Sequence, residues 1–117
     1  MDRTILIVDD HAAFRRSARA LLQAEGLDVV GEAASGAAAI AEVERLAPAV
    51  VLLDIQLPDA DGFAVAATLG ARSDPPQVIL ISSRDATEYG DRIENAATRG
   101  FIVKSRLSGA AITALLE

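Results

Sequence analysis

Four short apolar runs along the chain each end on a polar side chain. Ile5–Val8 runs into Asp9 and Asp10, Val50–Leu53 into Asp54, Val78–Ile81 into Ser82, and Phe101–Val103 into Lys104. Runs of about four Val, Ile and Leu residues without alternation mark strands buried on both faces, as in a parallel sheet covered by helices. Between them the apolar period is helical. Phe14, Ala18, Leu21 and Leu22 form the stripe of a first helix that stops at Glu25-Gly26. Leu27–Ala33, interrupted by Asp28 and Gly31, reads as a weaker strand at the sheet edge. Ser35 caps a second helix carrying Ile40, Val43 and Leu46, which Pro48 ends. Leu57–Gly62 is loop-like, with Asp59 and Asp61 shaping it and capping a short third helix over Phe63–Gly70. Pro75-Pro76 introduces the next strand. Asp85–Thr98 is expected to form a fourth helix with Ile93 and Ala97 inward, weakened by about 1 kcal/mol at Gly90. Ser108 opens a fifth, with Ile112, Leu115 and Leu116 inward.

Strands alternating with helices give an α/β domain with a parallel sheet. Ligands in such sheets bind beyond the carboxyl ends of the strands, so the polar terminators gather on one rim. At 117 residues, 51% hydrophobic and 24% charged, the chain is expected to make one domain over residues 1–117. It has no apolar stretch near the ~20 residues of a membrane span and no signal-peptide core after Met1-Asp2-Arg3, so a cytoplasmic location without membrane contact is expected. The net charge of −6, a single lysine and scattered arginines argue against this domain itself binding nucleic acid. Without cysteine there is no disulfide or thiolate chemistry.

The rim carries the chemistry. Neighbouring strands lie about 4.8 Å apart. Two carboxylates at roughly 5 Å repel by about 3 kcal/mol at an effective dielectric of about 20, so Asp9, Asp10 and Asp54 call for a cation. An all-oxygen cluster suits Mg²⁺, which takes one or two carboxylates and leaves room for waters and a phosphoryl oxygen. Asp54, flanked by the others, is the carboxylate placed for in-line attack on phosphorus, giving an aspartyl phosphate. Lys104 supplies a mobile point charge and Ser82 a hydrogen-bond donor for the product. His11 reads as a partly exposed residue opening the first helix.

Asp9-Asp10, then Asp54 followed by Leu57-Pro58-Asp59-Ala60-Asp61-Gly62, then Ser82-Ser83, then Lys104, resembles the receiver domain of bacterial two-component response regulators over essentially the whole chain. The resemblance implies a flavodoxin-like (βα)₅ fold, a doubly wound five-stranded parallel sheet in the order 2-1-3-4-5. It implies that Asp54 accepts a phosphoryl group from a sensor histidine kinase. Asp10, Asp54 and the backbone carbonyl of Gln56 would hold Mg²⁺, with Asp9 acting mainly through water. Lys104 and the Ser83 N–H would contact the phosphoryl group, and Ser82 and Phe101 would switch. Such a domain catalyses its own phosphorylation and dephosphorylation without being a turnover enzyme. Asp9-Asp10-His11 and Lys104-Ser105 resemble the LuxR/NarL-type subgroup, implying a transcriptional output through a DNA-binding domain outside this chain and homodimerisation on phosphorylation through the first and fifth helices. Lys104-Ser105 departs from the Lys-Pro pair, often cis, common in the family. A degenerate or stand-alone receiver that only binds proteins is the alternative. A flavodoxin-like cofactor carrier and an aspartyl-nucleophile phosphatase fit less well, because Asp9-Asp10-His11 would repel an FMN phosphate and lacks a D-x-D spacing.

Overall fold

The strand ends are aligned by register. In the computed structural model, which describes residues 3–117, five parallel strands lie in the order β2-β1-β3-β4-β5. They span Thr4–Val8 (β1), Asp28–Ala33 (β2), Val50–Asp54 (β3), Gln77–Ser82 (β4) and Gly100–Val103 (β5). Helices Ala12–Ala24 (α1), Gly36–Leu46 (α2), Gly62–Gly70 (α3), Arg92–Asn95 (α4) and Gly109–Leu116 (α5) alternate with them. This is the predicted flavodoxin-like order, with the weaker strand β2 at the edge as expected.

Alternate residues of each strand face opposite layers, so both faces are apolar. Leu6, Val8, Val51, Leu53 and Leu80 pack with Ala39 and Val43 of α2 and Val65, Ala66 and Leu69 of α3. Ile5, Ile7, Leu52, Ile79 and Ile81 pack with Ala18 and Leu22 of α1 and Ile112 of α5. Leu21, placed on the inner stripe of α1 by its spacing, is instead exposed. The buried side of that helix is narrower than the i+7/i+8 pair suggested.

Two local expectations are corrected. The single helix over Asp85–Thr98 is broken into a 3₁₀ turn, Ala86–Tyr89, and the four-residue α4. Asp85 and Glu88 close a capping box on the 3₁₀ turn, and Gly90 then takes φ 60°, ψ −130°, a conformation no helix contains. Consequently Ala96, not Ala97, reaches the core, and Ala97 is exposed. The second correction concerns Asp59. Asp61 caps α3 as expected, accepting from the Phe63 N–H at 2.7 Å. Asp59 instead crosses to α2 and accepts from the N–H groups of Gly36 and Ala37 at 2.8 and 3.1 Å. There it joins Ser35, which accepts from Ala38. The α2 N-terminus had three donors to satisfy, and the Asp59 loop lies beside it.

Candidate functional site

Register brings the rim together. Val8 pairs with Leu53, so Asp9 comes level with Asp54 across β1 and β3. Asp54 pairs with Ile81, and Ser82 pairs with Val103, one residue before Lys104. Chain separations of tens of residues are thereby reduced to adjacent strand ends.

Asp9 and Asp54 are buried, whereas Asp10 and His11 are exposed. Lys104 crosses the rim, donating to Asp54 Oδ2 at 3.3 Å and ion-pairing with Asp9 Oδ2. Its ammonium also stands 4.7 Å from the Phe14 ring centroid, where the negative ring face helps hold it. Asp9 Oδ1 accepts from the His11 N–H at 2.8 Å, and Asp54 Oδ1 accepts from the Gln56 N–H at 3.2 Å. Arg15 donates to the Asp9 carbonyl at 2.6 Å while also binding Glu32 of β2, tying α1 to the acidic turn.

The electrostatics are unequal. Burial pushes the Asp54 carboxyl above its ordinary value. The Gln56 N–H and the Lys104 ammonium oppose that shift without cancelling it, and the Asp9 charge adds to it. Burial disfavours the charged form of Lys104, but its bond to Asp9 and the charges of Asp54 and Asp9 outweigh this and raise its pKa. The lysine therefore stays protonated, and a further cation beside Asp54 would favour its charged form.

Carboxylate oxygens of Asp9, Asp10 and Asp54 and a ring nitrogen of His11 all lie within 4.8 Å of one another. They flank a polar cleft of about 250 Å³ lined by Asp10, His11, Asp54, Gln56, Leu57, Pro58, Ser83 and Lys104. The donor set fits a hard divalent cation, because Asp10 and Asp54 offer carboxylate oxygens to an open cleft with room for water, with the buried Asp9 behind them. His11 sits at the mouth as the residue preceding α1, as its position suggested, with Nδ1 3.2 Å from both Asp9 Oδ1 and Asp10 Oδ1.

The turn that follows Asp54 depends on Gly62. Its N–H donates to the Ile55 carbonyl at 2.7 Å, and a Cβ there would lie 2.5 Å from both the Asp54 carbonyl oxygen and the Ile55 Cα. Only glycine lets the loop after Asp54 fold back this tightly.

Ser83 lines the cleft, but Ser82 is buried and its hydroxyl is engaged elsewhere, 2.6 Å from the Tyr89 hydroxyl. Tyr89 was not singled out from the sequence. Its segment reads there as a plain amphipathic helix, and nothing in a seven-residue separation points a tyrosine at the preceding strand end. Its ring lies 5.9 Å from that of Phe63 and 6.3 Å from that of Phe101. Lys104–Arg106 form a 3₁₀ turn, and there is no cis peptide bond among the described residues, so the loop after Lys104 differs from the family's cis Lys-Pro turn.

The five-stranded parallel sheet thus carries an acidic cleft, a crossing lysine and a strand-end serine at its carboxyl edge. Residues 5–116 match the response regulator receiver domain, and the chain belongs to that family. It is 34% identical over 114 residues to the "probable transcriptional regulatory protein NarL" of Mycobacterium tuberculosis, covering 97% of this chain and 53% of that one. It is 30% identical over 99 residues to the DNA-binding transcriptional activator EvgA of Escherichia coli K12, covering 85% and 48%. The solved receiver domain of Mycobacterium tuberculosis NarL superposes with a TM-score of 0.86 at 33% identity, covering 98% and 94%. The chain spans about half the length of the curated relatives it matches. No helix among the described residues is long and apolar enough to cross a membrane.

Proposed function

We propose that Asp54 is the phosphoacceptor of this receiver domain, supplied by the phosphohistidine of a sensor kinase. The observation that carries this is the pairing of a buried Asp54, whose charge burial disfavours, with the Lys104 ammonium beside an open polar cleft. In the transfer, an Asp54 carboxylate oxygen forms a bond to phosphorus as the phosphorus–nitrogen bond breaks. The electron pair returns to the imidazole, which takes up a proton. Positioning and charge neutralisation carry the catalysis.

Asp10 and Asp54, with the Gln56 carbonyl, are the residues proposed to hold Mg²⁺, Asp9 acting mainly through water. The ion would neutralise the acidic cluster and the charge developing on the phosphoryl oxygens. Lys104 would reach the same oxygens by exchanging its bond to Asp54, and the N–H of Ser83, a residue lining the cleft, would be a further donor. Asp9 also holds Lys104 and the His11 N–H in place.

The output proposed for the whole protein is transcriptional, since the relatives it half-covers are transcription regulators. Kinase partner, phosphorylation-dependent dimerisation through α1 and α5, and a cytoplasmic location belong to the same proposal. Acetyl phosphate with Mg²⁺ should phosphorylate the wild type and leave Asp54→Asn unlabelled, as read by hydroxylamine-labile incorporation. Equal labile labelling of the variant would remove Asp54 from its role.

A further inference from the structure

Building on the phosphoacceptor role of Asp54, we propose that Tyr89 holds the Ser82 hydroxyl out of the acidic cleft and that phosphorylation breaks this contact. The tyrosine is thus the positioning residue that reports Asp54's state to the 86–95 segment.

Ser82 is 1% exposed, so its hydroxyl must find partners within the protein. It has two: it accepts from the Arg84 N–H at 3.0 Å and shares a 2.6 Å hydrogen bond with the Tyr89 hydroxyl. A serine hydroxyl has one proton and two lone pairs. Ser82 stands beside the Asp54 row, since Asp54 pairs with Ile81, yet it is Ser83 and not Ser82 that lines the cleft. To give its one proton to a phosphoryl oxygen on Asp54, Ser82 must turn Oγ toward the cleft. That rotation takes it out of Tyr89's reach, whichever of the two is the donor. Tyr89 and the phosphoryl group therefore compete for one hydroxyl.

Phe101, the β5 aromatic expected to switch, has no hydroxyl to sense this. In this chain the sensing group comes instead from the connection after β4, with Phe63 and Phe101 as flanking rings. The surrounding segment is built to respond. It consists of a 3₁₀ turn and a single helical turn divided at Gly90, and none of its helical residues is buried. A second tie to the body is Arg92, which donates to Asp61 at 2.6 Å and stacks 4.3 Å above Phe63. Losing the Tyr89–Ser82 bond removes the inner of these two tethers.

The chain has one tyrosine and no tryptophan, so its tyrosine emission reports on Tyr89 alone. Beryllofluoride with Mg²⁺, titrated into the wild-type chain, is expected to change that emission with saturation. In Ser82→Ala the emission should start altered and not respond. Removing the competing partner in Tyr89→Phe should tighten beryllofluoride binding, measured calorimetrically, by roughly three- to tenfold. The same substitution made in Ser82→Ala should change affinity less than twofold, a coupling that loss of mere packing would not produce. An emission that ignores saturating analogue, or a Tyr89→Phe variant with unchanged or weaker affinity, would overturn the proposal. Acetyl phosphate labelling run on the same preparations separates the levels. Labelling of Asp54 in wild type and Tyr89→Phe without the Tyr89 effects overturns only this inference, whereas folded wild type that never labels overturns both.

Discussion

At the scale of single residues, the site is a balance of one ammonium against buried carboxylates. Lys104→Met removes the cation shared by Asp9 and Asp54. In urea melts without divalent ions it should lower stability by about 3 kcal/mol, because two buried acids are left uncompensated. Mg²⁺ should recover most of that loss by binding the native state. Asp54→Asn should act in the opposite direction. The folded-state pKa of Asp54 is raised by burial, so its ionisation costs the native state more than the unfolded chain. That cost is absent below the ordinary carboxylate value, grows as pH rises through the interval up to the folded value, and is complete above it. In Mg²⁺-free buffer the variant should therefore have a higher urea midpoint than wild type at pH 7, and the gain should shrink toward zero on acidification below about pH 4. A gain that stays constant across that range would contradict the buried charge as its cause.

At the scale of elements, the loop between β3 and α3 and the segment after β4 behave as opposites. The first is locked. Gly62→Ala drives a Cβ into the Asp54 and Ile55 backbone and should cost about 2–3 kcal/mol while also impairing Mg²⁺ binding, readable by melts and calorimetry. The second is loose. Amides of residues 86–95 should exchange with solvent faster than those of β3 and β4, whose ladders lie between packed layers. Comparable protection in both would refute the picture of a weakly tethered segment. These same regions show what the sequence made legible. Strands were readable because unalternated apolar runs have few other uses, and Asp54 because it ends one. The break at Gly90 was not, since a glycine in a periodic segment looks only like a weakened helix. Asp59's reach to α2 and Tyr89's reach to Ser82 are contacts between elements distant in register or direction. No local spacing encodes them.

At the scale of the molecule, two layers of helices hold five strand ends level, so that Asp9, Asp54 and Lys104 meet from positions far apart in the chain. The apolar layers carry the fold, and the acidic rim works against it, since burial disfavours the charge on Asp54. On the proposed function, that opposition would let a small chemical change at one edge bias surfaces elsewhere. Everything proposed for those surfaces depends on which oxygen takes the phosphoryl group. The most direct measurement is to treat the chain with acetyl phosphate and Mg²⁺, reduce it with borohydride, and map the reduced position by peptide mass spectrometry. Reduction converts an acyl phosphate to an alcohol and leaves free carboxylates untouched. Homoserine at position 54 alone is the expected result. Homoserine at position 9 or 10, or at no position in a folded, Mg²⁺-saturated chain, would contradict it.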